Sequence, residues 1–382
     1  MFSCEASRRD VIRGALGGLV ASAIPSSSAI DIKERAFELI VRGGAPLNAE
    51  TPVEGLDSYL TPMNRFFVRS HFGPPSIPTD QILRVDGLVN KPLELARDRW
   101  GRIKQATLPA VLQCSGNGRA LFSPRIPGVG WEKGAVGNAE WTGFRLKDLL
   151  EMAGFSAEAR HVHFLGADGP PNPKTPAFLR SLPIERALDP HTLVAYSMNG
   201  RELPRLHGGP VRLVVPGWAG NHWIKWLRTI TLSAEEAPGF YQRTGYRMPR
   251  TPVPPGVNVK PEDTVPVTAL NVKSLFVSPT EGHRLPPGEL KIHGVAWTGA
   301  GRVARVDVSV DDGPWSLAEL HGPDHEYAWR LWRFDWTPTP GRHVIRARAT
   351  DSSGAVQPEK TPWNKSGYLW NGIDSVAFEV VR

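Results

Sequence analysis

The segment Leu112-Gln113-Cys114-Ser115-Gly116-Asn117-Gly118-Arg119 is an apolar run that ends on a cysteine and opens into glycines. A cysteine at the end of a strand, followed by such a turn, is held rigidly while its sulfur projects into a cleft. Flanking backbone N–H groups and the charge of Arg119 favour the thiolate, the form that binds metals. A soft thiolate suits a polarizable transition metal. The chain has two cysteines, and the other, Cys4, lies in a leading segment expected to be removed. Cys114 would then be alone in the mature chain, serving either as a ligand or as a small buried hydrophobe. CxxC and CxxCH are absent, which excludes a zinc cluster and covalent haem attachment.

The leading segment, residues 1–30, reads as a twin-arginine export signal. Arg8 and Arg9 precede a short apolar stretch from Gly14 to Ile24, and the small residues from Ser26 to Ala29 could hold a cleavage site. The stretch is too short and glycine-rich for a membrane span, so no membrane insertion is expected. This export route carries folded proteins, chiefly those loaded with a cofactor first, which points to a periplasmic destination. A lone thiol in that oxidising compartment needs a reason. The net charge of +7 could attract anions. No dense Lys/Arg run is present, which speaks against nucleic acid as a partner.

A chain of 382 residues exceeds what one hydrophobic core usually organises, so two domains are expected. Residues 31–250 form the first, 251–266 a proline-rich linker and 267–382 the second. In the first, a short helix is expected over 32–41 and another over 145–153, stopped by Gly154. Strands are expected over 83–89, 110–114, 162–165, 193–198 and 211–215. This is mixed α+β, without regular strand–helix alternation. Beyond the linker, strands over 290–295, 303–310 and 344–349, with a tight turn at Asp311-Asp312-Gly313, suggest an immunoglobulin-like β-sandwich.

Several blocks, in order, carry a resemblance that covers nearly all of the mature chain. They are Phe67-Val68-Arg69-Ser70-His71, Cys114 to Asn117 with Arg119, Trp131 to Asn138 with Trp141-Thr142-Gly143, and Tyr196 to Gly217, which holds His207-Gly208-Gly209-Pro210-Val211-Arg212. Trp223-Ile224-Lys225-Trp226-Leu227 closes the series. Together they resemble the sulfite oxidase family of molybdopterin-dependent oxidoreductases, in particular bacterial periplasmic sulfite dehydrogenases. The resemblance implies a molybdopterin-binding domain followed by a dimerisation domain, with molybdenum held by the dithiolene sulfurs of molybdopterin and by Cys114. By position, Phe67, Val68, Arg69, Ser70, His71, Asp168, His207, Arg212, Trp223, Ile224 and Lys225 would hold the pterin and its phosphate. Trp223 stands where a histidine is often found. Arg69, Arg119, Trp131 and Tyr246 would handle the substrate, since a small dianion needs arginines to desolvate and orient it.

The activity implied is oxidation of sulfite to sulfate, with electrons passed to a separate c-type cytochrome by a homodimer. One departure bears on the substrate. In Trp363-Asn364-Lys365-Ser366-Gly367, Ser366 stands where family members that oxidise sulfite often carry an arginine, and Lys365 is the neighbouring cation. A sulfane dehydrogenase subunit of a thiosulfate-oxidising complex shares these motifs. A non-catalytic assembly module on the same fold is a further alternative, against which Arg69, His71, Cys114, Arg119 and Tyr246 all speak. The tryptophans Trp297, Trp329 and Trp332 would be covered by a subunit interface or by the sandwich's own core.

Overall fold

The computed structural model describes residues 39–381 apart from residue 79. The twin-arginine segment and most of the helix expected over 32–41 lie outside those residues. The end of that span is a strand: Ile40–Gly44 pairs with Leu47–Glu50, and Arg42 bridges to the buried Glu50. Two β-branched residues followed later by paired glycines favour extended backbone over helix there.

The N-terminal part is built on two five-stranded sheets. In one, Gln105–Gln113, Val136–Arg145 and Leu193–Met198 run side by side, and Arg212–Val214 also pairs with the last of these. In the other, Leu227–Ser233 joins Ile82–Gly87 in parallel and His161–Gly166 antiparallel. Their apolar faces enclose a core that includes Trp141, Phe144, Leu213, Trp223 and Ile230. The helix expected over 145–153 is Leu146–Ala153, ended by Gly154 at φ 66°. It buries Leu146, Leu149, Leu150 and Ala153, the one-sided spacing of an amphipathic helix. The helical share of the α+β expectation is nevertheless small. Among the described residues the chain is mostly strand with few helices, because its apolar residues alternate more often than they recur at helical spacing.

Beyond the proline-rich passage, two sheets share one core. Lys273–Ser278, Leu290–Trp297, Arg330–Trp336 and Glu319–His321 form the first. Arg284–Leu285, Asp374–Val380, Gly341–Asp351, Val303–Val310 and Ser316–Leu317 form the second. Ile292, Val306, Trp332, Ile345 and Phe378 lie between them. Asp311 and Asp312 both take positive φ, and Gly313 N donates to Val310 O, so the expected tight turn is of the primed type that suits a hairpin. The passage read as a linker is tied down at its ends, where Arg247–Pro249 pairs with Thr264–Pro266.

Trp297, Trp329 and Trp332 are fully buried within this one chain. Two of them belong to the seam between the two parts. Trp297 donates to Gln113 Oε1 at 2.8 Å and Trp329 to Tyr59 O at 2.7 Å. Lys273 lies in the same seam, 1% exposed, with Nζ over the rings of Trp370 (4.6 Å) and Trp297 (5.6 Å). Nearby Asp374 is taken by Lys133 at 2.6 Å. Burial pulls the Lys273 pKa down to about 7, against an ordinary 10.5. Between those values the unfolded chain binds the extra proton, so stability rises with pH across that window. Lys273→Met is therefore expected to raise the melting temperature at about pH 6 and to gain less at about pH 9, read by thermal unfolding at both.

Candidate functional site

Gln105–Gln113 ends one residue before Cys114, and the turn that follows is pinned on every side. Cys114 N donates to Ala135 O at 2.9 Å, and Asn117 N returns to Cys114 O at 2.9 Å. Ser115 Oγ donates to Asn221 Oδ1 at 2.8 Å, while Leu369 N donates to Ser115 O at 2.8 Å. Gly118 takes φ 87°, and a Cβ there would fall 2.6 Å from Trp370 Cβ, so only glycine fits. The result is a free, half-buried thiol facing a cleft.

Twelve of the residues predicted to hold cofactor, metal or substrate line that single cleft: Phe67, Arg69, Ser70, His71, Cys114, Asp168, His207, Arg212, Trp223, Ile224, Lys225 and Tyr246. They come from segments far apart in the sequence, brought together where strands end. Val68 does not join them. It is buried in a small apolar cluster, with its backbone paired to Ala49. Trp223 contributes a wall, because its indole N–H is already given to Trp218 O at 2.9 Å.

The cleft's charged groups are mostly cationic: Arg69, Arg212 and Lys225 against Asp168. Arg212 is 2% exposed and donates to the carbonyls of His207 (2.7 Å) and Trp223 (2.9 Å). No ion pair with a carboxylate is formed by Arg212 among the described residues, and burial lowers its pKa to about 9. A guanidinium so placed is costly unless an anion joins it. Lys225 Nζ reaches Leu206 O (3.1 Å) and Ser70 Oγ (3.4 Å). Burial, with Arg212 adding to it, pulls this ammonium well below its ordinary range, while Asp168 opposes the shift. Burial pushes the Asp168 carboxyl up to about 6, against the pull of Lys225. This donor set fits a phosphate-bearing pterin: guanidinium and ammonium for the phosphate, an imidazole and a carboxyl for ring donors and acceptors, and a thiolate for a soft metal.

On the other side of the cleft, His71 Nε2 lies 2.7 Å from the Tyr246 hydroxyl. Arg69 Nη2 is 3.2 Å from both ring nitrogens of His71, and its Nη1 donates to Asn48 Oδ1 at 3.0 Å. Burial, with Arg69 and Lys225 adding their repulsion, lowers the His71 pKa to about 3. The imidazole is therefore neutral, and its contact with Tyr246 is a hydrogen bond between uncharged groups.

Arg119 and Trp131 fall outside the cleft. The Arg119 guanidinium lies across Gly116 and donates to Ser366 O (3.0 Å) and Val129 O (3.1 Å), with Tyr368 beneath it. It staples the cysteine turn to the 363–370 segment. Trp131 is packed into the core, 1% exposed. Lys365 is exposed, and neither it nor Ser366 lines the cleft. Arg119→Gln is expected to lower the unfolding free energy by about 1–2 kcal/mol through lost charged hydrogen bonds, measured by denaturant titration.

Phe178 and Asn221 also line the cleft and carried no signal of their own in the sequence. Nor did Tyr368, which stacks on Tyr246 at 5.5 Å and 14°.

Comparison with known proteins agrees with this chemistry. Residues 71–241 match the oxidoreductase molybdopterin binding domain, and residues 264–379 match the Mo-co oxidoreductase dimerisation domain. The sequence is 39% identical over 350 residues to the sulfite oxidase of Gallus gallus, covering 87% of this chain and 76% of that protein. It is 34% identical over 363 residues to the sulfite oxidase of Arabidopsis thaliana, covering 87% and 91%. Against the mitochondrial sulfite oxidase of Homo sapiens it is 37% identical over 353 residues and spans 64% of that protein's length. Among solved structures, the sulfane dehydrogenase SoxCD from Paracoccus pantotrophus superposes with a TM-score of 0.79 at 27% identity, covering 96% of both chains.

Proposed function

The chain belongs to the sulfite oxidase family of molybdopterin-dependent oxidoreductases, and on that footing we propose that it oxidises sulfite to sulfate and passes the electrons to a separate c-type cytochrome. The observation that carries the reading is one cleft holding a free thiol opposite Arg69, Arg212 and Lys225, with His71 and Tyr246 in hydrogen-bond contact beside them. Cys114, Arg212, Lys225, Asp168 and His207 would hold the cofactor. When bound, molybdenum–molybdopterin supplies an oxygen atom to the sulfur and takes up two electrons. Overall, sulfite and water give sulfate, two protons and two electrons.

The protein's own residues do the rest. Arg69 neutralises the dianion as it leaves water. Tyr246 donates its O–H to a substrate oxygen, and neutral His71 behind it holds the phenol oxygen by a hydrogen bond at 2.7 Å. Apolar walls from Phe67, Phe178 and Trp223 keep bulk water from weakening these contacts. The C-terminal sheet pair is read as an immunoglobulin-like sandwich that joins two copies, and residues 1–30 as the export signal. Replacing Arg8 and Arg9 with lysine is expected to leave unprocessed precursor in the cytoplasm; normal periplasmic amounts on fractionation would refute the signal.

A second reading, a sulfane dehydrogenase, is favoured by the structural likeness to SoxCD and by the absence of a cation at Ser366. Steady-state reduction of cytochrome c with sulfite against protein-bound sulfane sulfur separates the two. Sulfite is expected to give the higher catalytic efficiency.

A further inference from the structure

Arg180, on the strand Leu179–Pro183, is 1% exposed and does not reach the cleft. It forms no ion pair among the described residues, and its Nε has no hydrogen-bond partner. Nη1 donates to Tyr241 O, and Nη2 lies 3.3 Å from His222 Nε2. That imidazole nitrogen has a shorter contact, 2.9 Å, with Val267 O. Its proton therefore goes to the carbonyl, and the guanidinium gains no acceptor there. Burying a cation with so little compensation is expensive. Such an arrangement needs a benefit elsewhere.

Beyond the longer-range pull of Glu236, the guanidinium faces Tyr246, whose ring centroid lies 5.5 Å from Arg180 Cζ. A cation over a phenol ring is attracted to its face and draws electron density from the oxygen, which strengthens the O–H as a donor. Tyr246 also sits at φ 52°, a left-handed backbone position that a bulky residue takes only when its surroundings impose it. Val267 N donates to Tyr246 O, and Val267 O holds His222, which packs on Arg180. Ring and backbone of Tyr246 are thus both tied to the same guanidinium.

We infer that Arg180 is a positioning residue: it fixes Tyr246 against the cleft and polarises its hydroxyl toward an anionic oxygen, supplying positive charge from behind the cleft wall where Ser366 brings none. The inference rests on the sulfite reading. The alternative is that Arg180 only ties its own strand to the 240–243 turn through Tyr241 O.

A double-mutant cycle on the molybdenum-loaded enzyme separates these. Arg180→Met, Arg180→Lys, Tyr246→Phe and the Arg180→Met/Tyr246→Phe double variant are compared by sulfate binding in calorimetry, sulfite kinetics and melting temperature. Arg180→Met is expected to weaken sulfate binding and raise KM roughly tenfold, with a smaller effect on kcat. Arg180→Lys restores most of the loss. In the Tyr246→Phe background the same Arg180→Met change shifts sulfate affinity by less than about twofold, because its effect passes through the missing hydroxyl. If Arg180→Met does not fold, Arg180→Gln carries the cycle. Additive effects, or a lysine variant as impaired as the methionine one, would overturn the inference. Wild-type enzyme that neither binds sulfate nor oxidises sulfite overturns the substrate reading itself, before any variant is made, and this inference with it.

Discussion

Cys114→Ser is expected to abolish nearly all turnover while leaving the fold in place. A hydroxyl is a harder and more basic donor than a thiolate, so it does not reproduce the thiolate's bond to a soft metal. Outer-shell changes around metal sites already cost about ten- to a hundredfold, so loss of the ligand itself is expected to cost about a hundredfold or more. The turn has little reason to collapse. Its hydrogen bonds at Cys114 use the backbone N–H and C=O, and serine keeps both. The check is kcat with molybdenum content and melting temperature measured on the same preparation. Near-normal turnover with molybdenum still bound would remove Cys114 from the metal's ligands.

Arg212→Met is expected to have the second large effect, on cofactor retention. The guanidinium is buried in the cleft wall, bonded to the carbonyls of His207, Trp223 and Leu213. Charged hydrogen bonds contribute about 1.5–3 kcal/mol each, so losing the contact to a pterin phosphate should lower retention roughly ten- to a hundredfold. The sign for empty protein is different. Removing a buried cation that has no carboxylate partner relieves a desolvation cost, offset by the three stranded carbonyls. Elemental analysis should therefore show little molybdenum, while the melting temperature of cofactor-free protein stays close to that of the parent. Full molybdenum loading in Arg212→Met would move the phosphate site away from Arg212.

Much of the site was legible because its chemistry is concentrated in short segments. A segment such as 67–71 brings several donors to one place wherever its backbone goes, and twelve predicted residues do meet in one cleft. The failures share a cause. Arg119 sits five residues from Cys114, and its charge suggested a substrate contact. Its long side chain instead found the Ser366 and Val129 carbonyls, partners far along the chain that spacing cannot reveal. Arg180 looked like one arginine among many until burial singled it out. The strands with alternating apolar residues, the helix stopped by Gly154 and the Asp311-Asp312-Gly313 turn were readable because local sequence dictates them. The 32–41 helix failed at its described end, where extended pairing with Leu47–Glu50 outweighs weak helical spacing.

The turn that presents Cys114 receives a hydrogen bond from Leu369, is filled by Trp370 and is stapled by Arg119 to Ser366. During synthesis, then, the thiol emerges from the ribosome long before the residues that set its direction. A nascent chain holding only the first sheets would present the sulfur on an unfinished loop. The order of assembly follows: translation past residue 370, then docking of the C-terminal sheets, and only then a pocket rigid enough to receive its metal.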